Sequence, residues 1–98
     1  MENQQKPQVK IKASDEALKG SYSNLVNIAH NREEFILDFI SFVPPQGSLN
    51  SRVFLSPGHL KRLWKVLGEN VKQYEGKFGE ITEASVQPDS ISFNPPQQ

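Results

Sequence analysis

Residues 34–43 read EFILDFISFV, a run that is apolar on both faces of an extended strand and carries one carboxylate in its middle. Alternate residues of a strand point to opposite faces. One face would hold Phe35, Leu37, Phe39 and Val43, and the other Ile36, Ile40 and Phe42 with Asp38. The run therefore predicts a strand that needs a cover on each face.

The residues around this run predict two further strands. Residues 22–30 (YSNLVNIAH) divide into two alternating faces and, after a polar turn at residues 31–33, form an antiparallel hairpin with the run. Pro44 and Pro45 end the second strand, because proline cannot donate to a central ladder. We expect a loop at residues 46–50 and a short third strand, RVFL, at residues 52–55.

Residues 56–79 carry the signals of one long amphipathic helix. Ser56 and Pro57 suit the N-cap and the first helical position, and Gly79 suits the C-terminal cap. Apolar residues recur at spacings of 4, 3, 4, 3 and 4, namely Leu60, Trp64, Leu67, Val71, Tyr74 and Phe78. Such a helix is about 30 Å long, so we expect it to cover the second strand from end to end.

The predicted fold is therefore α+β: a hairpin plus third strand followed by one long helix, over residues 19–81, with a mobile segment at 1–18 and a disordered tail at 82–98. A core of about 60 residues is small, and there is no cysteine to staple it. One helix covers only one sheet face, so we expect a homodimer to cover the other. Alternatively, apolar residues of the first segment fold back over it: Val9, Ile11, Ala17 and Leu18.

Two residues need a specific environment. Asp38 requires a partner, because burying an unpaired carboxylate is costly; Arg32, Arg52, Tyr22 or backbone donors could supply it, and a structural role is preferred over a catalytic one. Gly68 lies inside the helix, where glycine costs about 1 kcal/mol relative to alanine. We expect a close approach at Gly68, at the dimer contact, although a simply tolerated glycine stays an alternative.

Short motifs spread over residues 20–81 resemble one known family. They are G-x-YSNL, EF-x-LDF, V-x-LSP, KRL, N-x-x-x-YE and FGEI. Together they resemble the small prokaryotic family catalogued as domain of unknown function 3467, a resemblance that implies no activity and no catalytic residue. Some of the matching positions are polar residues with no evident role in capping or in the core. We combine them with Gly68 and with the apolar residues on the Asp38 face of the strand. The resulting candidate interaction surface comprises Tyr22, Asn24, Ile36, Asp38, Ile40, Phe42, Gly68, Asn70 and Glu75.

Composition and motifs argue against several functional classes. The absence of cysteine excludes thiol catalysis and cysteine-ligated metals. The two histidines have no metal-ligand spacing, and there is neither a glycine-rich phosphate loop nor a Gly-x-Ser-x-Gly elbow. We expect no enzyme activity, cofactor or metal. No apolar signal core or membrane-length apolar run is present, which predicts a cytoplasmic protein without membrane contact.

Two roles stay open. The preferred one is a small protein-interaction or scaffold module that acts as a homodimer, with a further, unidentified protein partner. The alternative is a nucleic-acid-associated accessory or regulatory protein that uses a basic stripe on the helix. That stripe would comprise Lys61, Lys65 and Lys72, extended by Arg52, His59 and Arg62. The net charge of zero disfavours the alternative.

Overall fold

The computed structural model describes residues 8–84, 88 and 90–94. Its elements in chain order are α1 (Asp15–Lys19), β1 (Leu25–His30), β2 (Phe35–Val43), β3 (Gln46–Leu55) and α2 (Pro57–Phe78). The three strands form one antiparallel sheet in the order β1-β2-β3. The predicted α+β arrangement of three strands followed by a long helix is confirmed.

The central strand is β2, the run that opened the sequence analysis. Asp38 at its middle lies opposite Asn27 of β1 and Arg52 of β3. The buried apolar residues lie on or beside this strand: Leu25, Leu37 and Ile40. Because β2 is paired along both edges, its apolar side chains are shielded by both neighbouring strands, and the small core sits there.

The first strand is shorter than predicted. It begins at Leu25 rather than at Tyr22. Before Leu25, the Asn24 side chain forms hydrogen bonds with the backbone of β2. Its amide nitrogen donates to the Phe42 carbonyl (2.9 Å), and its amide oxygen accepts from the Phe42 N–H (2.8 Å). A side-chain amide thus replaces a further pair of ladder hydrogen bonds.

The third strand is longer than predicted, and the expected loop at residues 46–50 is wrong. Pro44 and Pro45, joined by a cis peptide bond, occupy the turn themselves, so Gln46 already pairs with Val43. Gly47 lies opposite Phe42, where an added Cβ would meet the ring at 3.2 Å. Because Gly47 has no side chain, the Phe42 ring fits beside it.

Helix α2 begins and ends where the sequence predicted. The Ser56 hydroxyl accepts a hydrogen bond from the His59 N–H (3.2 Å), and Pro57 is the first helical residue. At the other end Gly79 has φ +99° and donates its N–H to the Glu75 carbonyl (3.0 Å). Both caps satisfy backbone groups that the helix leaves without intrahelical partners.

The position of α2 differs from the prediction that it covers β2. Within the described part of the chain no residue of α2 is buried, and Trp64 and Phe78 are 64% and 72% exposed. The Cα radius of gyration is 17.7 Å, whereas a compact chain of about 100 residues has about 13 Å. Only Ser56 separates β3 from α2, a connection shorter than those that usually join a strand to a helix packed against it.

The N-terminal segment does not cover the sheet either, so that alternative is wrong. Val9, Ile11 and Leu18 are exposed, and α1 is a helix of only five residues, capped by the Ser14 hydroxyl. The predicted mobility of residues 1–18 and 82–98 stays a prediction. Residues 1–7, 85–87, 89 and 95–98 lie outside the described residues.

The N-cap of α2 gives a first testable prediction. Ser56→Ala removes the hydroxyl that accepts the His59 N–H, so we expect a loss of about 1 kcal/mol in the free energy of unfolding. Ser56→Asp keeps a capping acceptor and should retain most of the stability. Urea unfolding followed by far-UV circular dichroism measures both variants. Equal stability of Ser56→Ala and the wild type would contradict this role of the cap.

Candidate functional site

Asp38 and Arg52 form the most strongly bound polar pair in the sheet. Arg52 Nε donates to Asp38 Oδ1 at 2.7 Å, and its terminal nitrogen donates to Oδ2 at 3.1 Å. The Asp38 side chain is 3% exposed, while the Arg52 side chain is 44% exposed. Cross-strand register brings the two together, so the expectation of a partner for Asp38 is confirmed with Arg52, and Arg32 is not that partner.

This pair stabilises the charged carboxylate. Hydrogen bonding from Arg52 lowers the pKa of Asp38 below its ordinary value, against the opposing effect of burial, with further help from the Arg52 charge and the Asn27 side chain. The same contact raises the pKa of Arg52. A catalytic acid or base near neutral pH needs a pKa shifted toward 7, and the shift of Asp38 is in the opposite direction. The geometry therefore describes a structural ion pair.

The Asp38 face of the sheet offers less free surface than predicted. Asp38 and Ile40 are buried, and Ile36 and Phe42 are half-buried. Near Arg52, the Phe93 ring lies 5.5 Å from the guanidinium carbon. The predicted surface on this face is therefore only partly accessible in a single chain.

Tyr22 and Asn24 lie at the end of the sheet, in the segment that leads into β1. The Tyr22 carbonyl accepts from the Asn50 side chain, and Asn24 is bonded to the Phe42 backbone. A shallow open groove runs along this segment and is lined by Ser21, Tyr22, Ser23, Asn24, Leu25, Val26 and Phe39. Most of its polar groups already hold the strands together, which favours a structural role for Asn24.

A run of exposed apolar side chains lies along α2. We define the α2 stripe as its six heptad-spaced apolar residues: Leu60, Trp64, Leu67, Val71, Tyr74 and Phe78. Leu60 is half-buried and the other five are exposed. Tyr74 and Phe78 contact each other, with ring centroids 4.9 Å apart. The sequence predicted that this stripe covers the sheet, although its alternation of four- and three-residue intervals is also the pattern of helices that pair with each other.

Three predicted site residues border the α2 stripe: Gly68, Asn70 and Glu75. No described atom outside the helix backbone lies within 4 Å of a Cβ built on Gly68. Asn70 donates to the Val66 carbonyl (2.9 Å), and one Glu75 oxygen accepts from the Ile81 N–H (3.0 Å). The structure therefore separates these three from the site residues on the sheet and places them beside one exposed helix face.

The basic residues of the alternative function lie on two elements, Arg52 on β3 and the others on α2. Lys61, Lys65 and Lys72 are exposed on α2, and Lys61 Nζ lies 5.8 Å from the centre of the Trp64 ring. Arg52 is bound to Asp38 on the sheet. His59 and Arg62 are exposed in the first turns of α2. The guanidinium expected to extend the lysine stripe is thus largely occupied.

Neither a metal centre nor a membrane helix is found in the part of the chain that the structure describes. Among residues 8–84, 88 and 90–94, no three Asp, Glu or His side chains lie close enough together to hold a metal ion. Within the same residues, no helix has both the length and the apolar composition needed to cross a bilayer.

The comparisons with known proteins identify the family. No curated protein and no solved structure matches the chain significantly. One family model matches residues 1–83, which include the whole sheet and α2. The motif resemblance noted over residues 20–81 is therefore confirmed, and the chain belongs to the family described as "protein of unknown function (DUF3467)".

Proposed function

We propose that this protein is a small, non-enzymatic interaction module that works as a homodimer, with the α2 stripe as the contact between the two copies. The observation that carries the proposal is the exposure of this stripe on a helix in which no described residue is buried. Contiguous exposed apolar surface on a small protein marks an interaction site. The cytoplasm stays the predicted compartment.

An unsupported helix of this kind needs a partner. Helical stability in proteins comes mostly from packing an amphipathic face rather than from helix propensity. Burial of apolar surface contributes about 25 cal/mol per Å². The stripe holds three aromatic residues that are more than half exposed, Trp64, Tyr74 and Phe78, so covering it removes a large apolar surface from water.

A second copy of the chain is the partner that the structure favours. The one-residue connection after β3 is shorter than the usual strand-to-helix loop, and both the stripe and the N-terminal segment stay exposed. The alternation of four- and three-residue intervals allows the stripe to pair with an identical helix. The formal net charge of zero adds no overall repulsion between two copies. Most soluble oligomers are closed symmetric homo-oligomers.

Sedimentation equilibrium of the full chain tests this proposal. Over protein concentrations from about 1 to 100 μM, we expect the mass to rise from 11.1 kDa toward twice that value. Because apolar contact is screened little by salt, the association should persist when salt is raised. A mass of 11.1 kDa at every concentration would contradict the proposal.

The same experiment separates this role from nucleic-acid binding. Phosphate contacts by Lys61, Lys65 and Lys72 would make binding fall steeply with added salt. Adding a short DNA duplex at low salt therefore provides the comparison. Salt-sensitive co-sedimentation with a monomeric protein would support the alternative function, while a salt-insensitive dimer that leaves the duplex free supports the interaction module.

A further inference from the structure

We infer that the two copies pair through their α2 helices in an antiparallel arrangement, with a two-fold axis that passes beside Gly68 and Asn70. This inference rests on the proposed homodimer and specifies its geometry. The spacing of the α2 stripe, the charges beside it and the open space at Gly68 support this geometry.

The spacing of the stripe assigns every residue of α2 to a heptad position. Intervals of 4, 3, 4, 3 and 4 place Trp64, Val71 and Phe78 at one core position and Leu60, Leu67 and Tyr74 at the other. The flanking positions on one side are then Lys61, Gly68 and Glu75, and those on the other side are Leu63, Asn70 and Lys77. These six residues decide how two copies can align.

An antiparallel pair with all six stripe residues in contact has one natural register. Each core layer joins a residue of one helix to a residue of the other core position in the second copy. The layers are Leu60 with Phe78 of the second copy, Trp64 with Tyr74 of the second copy, and Leu67 with Val71 of the second copy. Each layer occurs twice by symmetry, so no stripe residue is left uncovered.

This register also pairs opposite charges. Lys61 of one copy faces Glu75 of the other, and the symmetry generates the same pair a second time. Glu75 uses Oε2 for the Ile81 N–H in the single chain, so its second carboxylate oxygen can accept from Lys61. Opposite charges at flanking positions set the partner and orientation of paired helices.

The axis of this arrangement passes where the side chains are small or self-complementary. Gly68 faces Gly68 of the second copy, and Asn70 faces Asn70 of the second copy on the other side of the seam. A Cβ on Gly68 would have open space around it in the single chain, which a neighbouring helix can occupy. Asn70 donates one amide hydrogen to the Val66 carbonyl. Its second amide hydrogen and its amide oxygen stay available to Asn70 of the second copy.

A parallel pair lacks these features. It would place Trp64 against Trp64 of the second copy and Tyr74 against Tyr74 of the second copy. Its flanking contacts would join Asn70 to Glu75 and Leu63 to Gly68 of the second copy, without any pair of opposite charges. The charge pattern therefore favours the antiparallel arrangement.

Engineered cysteines test the arrangement cleanly because the chain contains no cysteine. In the antiparallel pair two residues 70 lie side by side, so Asn70→Cys should form a disulfide-linked dimer in high yield under mild oxidation. Two residues 78 lie at opposite ends, about 27 Å apart at 1.5 Å per residue, so Phe78→Cys should not cross-link. Gln73→Cys, on the exposed back of α2, measures accidental collision. Intact mass spectrometry without reductant reports the yields.

Each outcome distinguishes this inference from the homodimer itself. Cross-linking of Phe78→Cys above the Gln73→Cys background overturns the antiparallel pairing. If sedimentation shows a dimer but Asn70→Cys cross-links no more than Gln73→Cys does, the two copies meet elsewhere. The inference then fails, while the homodimer stands. If the wild-type chain sediments as a monomer at all concentrations, the homodimer proposal fails first.

A charge exchange between two chains gives an independent readout. Lys61→Glu in one chain and Glu75→Lys in another should each weaken the corresponding homodimer about tenfold. Mixing the two variants should yield mainly heterodimer by native mass spectrometry, since both inter-helix pairs are then of opposite charge. A statistical mixture of the three dimers would overturn the Lys61 to Glu75 pairing.

Discussion

Replacing Val71 by glutamate is expected to weaken self-association at least about 100-fold, the largest effect on assembly that we predict. Val71 lies in the middle of the α2 stripe and is 44% exposed in the single chain. A carboxylate there meets water in the monomer but must be buried in the dimer, once in each copy, and burying an unpaired charge is costly. Sedimentation equilibrium measures the change in Kd.

The matched control for this variant is Gln73→Glu. It introduces the same side chain two residues away, on the exposed back of α2, and should leave the Kd within about threefold of wild type. Both variants should keep the helical circular dichroism of the folded chain. Equal dimerisation of Val71→Glu and Gln73→Glu would show that the α2 stripe is not the contact.

Replacing Arg52 by alanine is expected to produce the largest loss of stability, a fall in Tm of about 5 °C or more. The variant leaves the Asp38 carboxylate, 3% exposed, without its bidentate partner. The reverse change, Asp38→Asn, should cost less, because the Arg52 side chain is 44% exposed and can turn to water. Thermal unfolding at pH 7 gives the order of the two variants.

The pH dependence of this loss has a definite sign. Hydrogen bonding from Arg52 holds the pKa of Asp38 below its ordinary value, so the ion pair stabilises the fold above about pH 4 and loses this effect as the pH falls through the folded-state pKa. The gap in Tm between wild type and Arg52→Ala should therefore be largest near neutral pH. It should narrow as the solution becomes more acidic than about pH 4.

Arg32→Ala is the control for the ion pair. Arg32 is the other arginine near the sheet; it lies exposed between β1 and β2 and is not the partner of Asp38. Its replacement should leave the Tm within about 1 °C of wild type. A larger loss for Arg32→Ala than for Arg52→Ala, or a gap that widens in acid, would contradict the assignment of Arg52.

Local signals in the sequence predicted the elements well. Ser56, Pro57 and Gly79 fixed both ends of α2 because capping depends on adjacent backbone groups. The doubly apolar run at residues 34–43 correctly indicated the central strand. Because a buried carboxylate needs a positively charged or hydrogen-bonding partner, the sequence offered a short set of candidates for Asp38, and Arg52 was one of them.

The errors concern features that local pattern does not encode. The Pro-Pro pair ended β2 as expected, yet the sequence did not reveal that the two residues form the entire turn, so the strand at residues 46–50 was missed. The apolar stripe of α2 indicates that this helix face is covered by another surface, but the sequence does not identify that surface. The one-residue junction at Ser56 was the available signal, since loops that join a strand to a helix packed against it usually have about two to six residues.

The emission of Trp64 on dilution tests the central claim most directly. Trp64 is the only tryptophan of the chain and lies on the α2 stripe, where it is 64% exposed in a single copy. We predict a blue-shifted emission maximum at high protein concentration that moves to the red on dilution, with the same midpoint as the change in mass. An emission maximum typical of exposed indole at all concentrations, whatever the mass, would contradict pairing through α2.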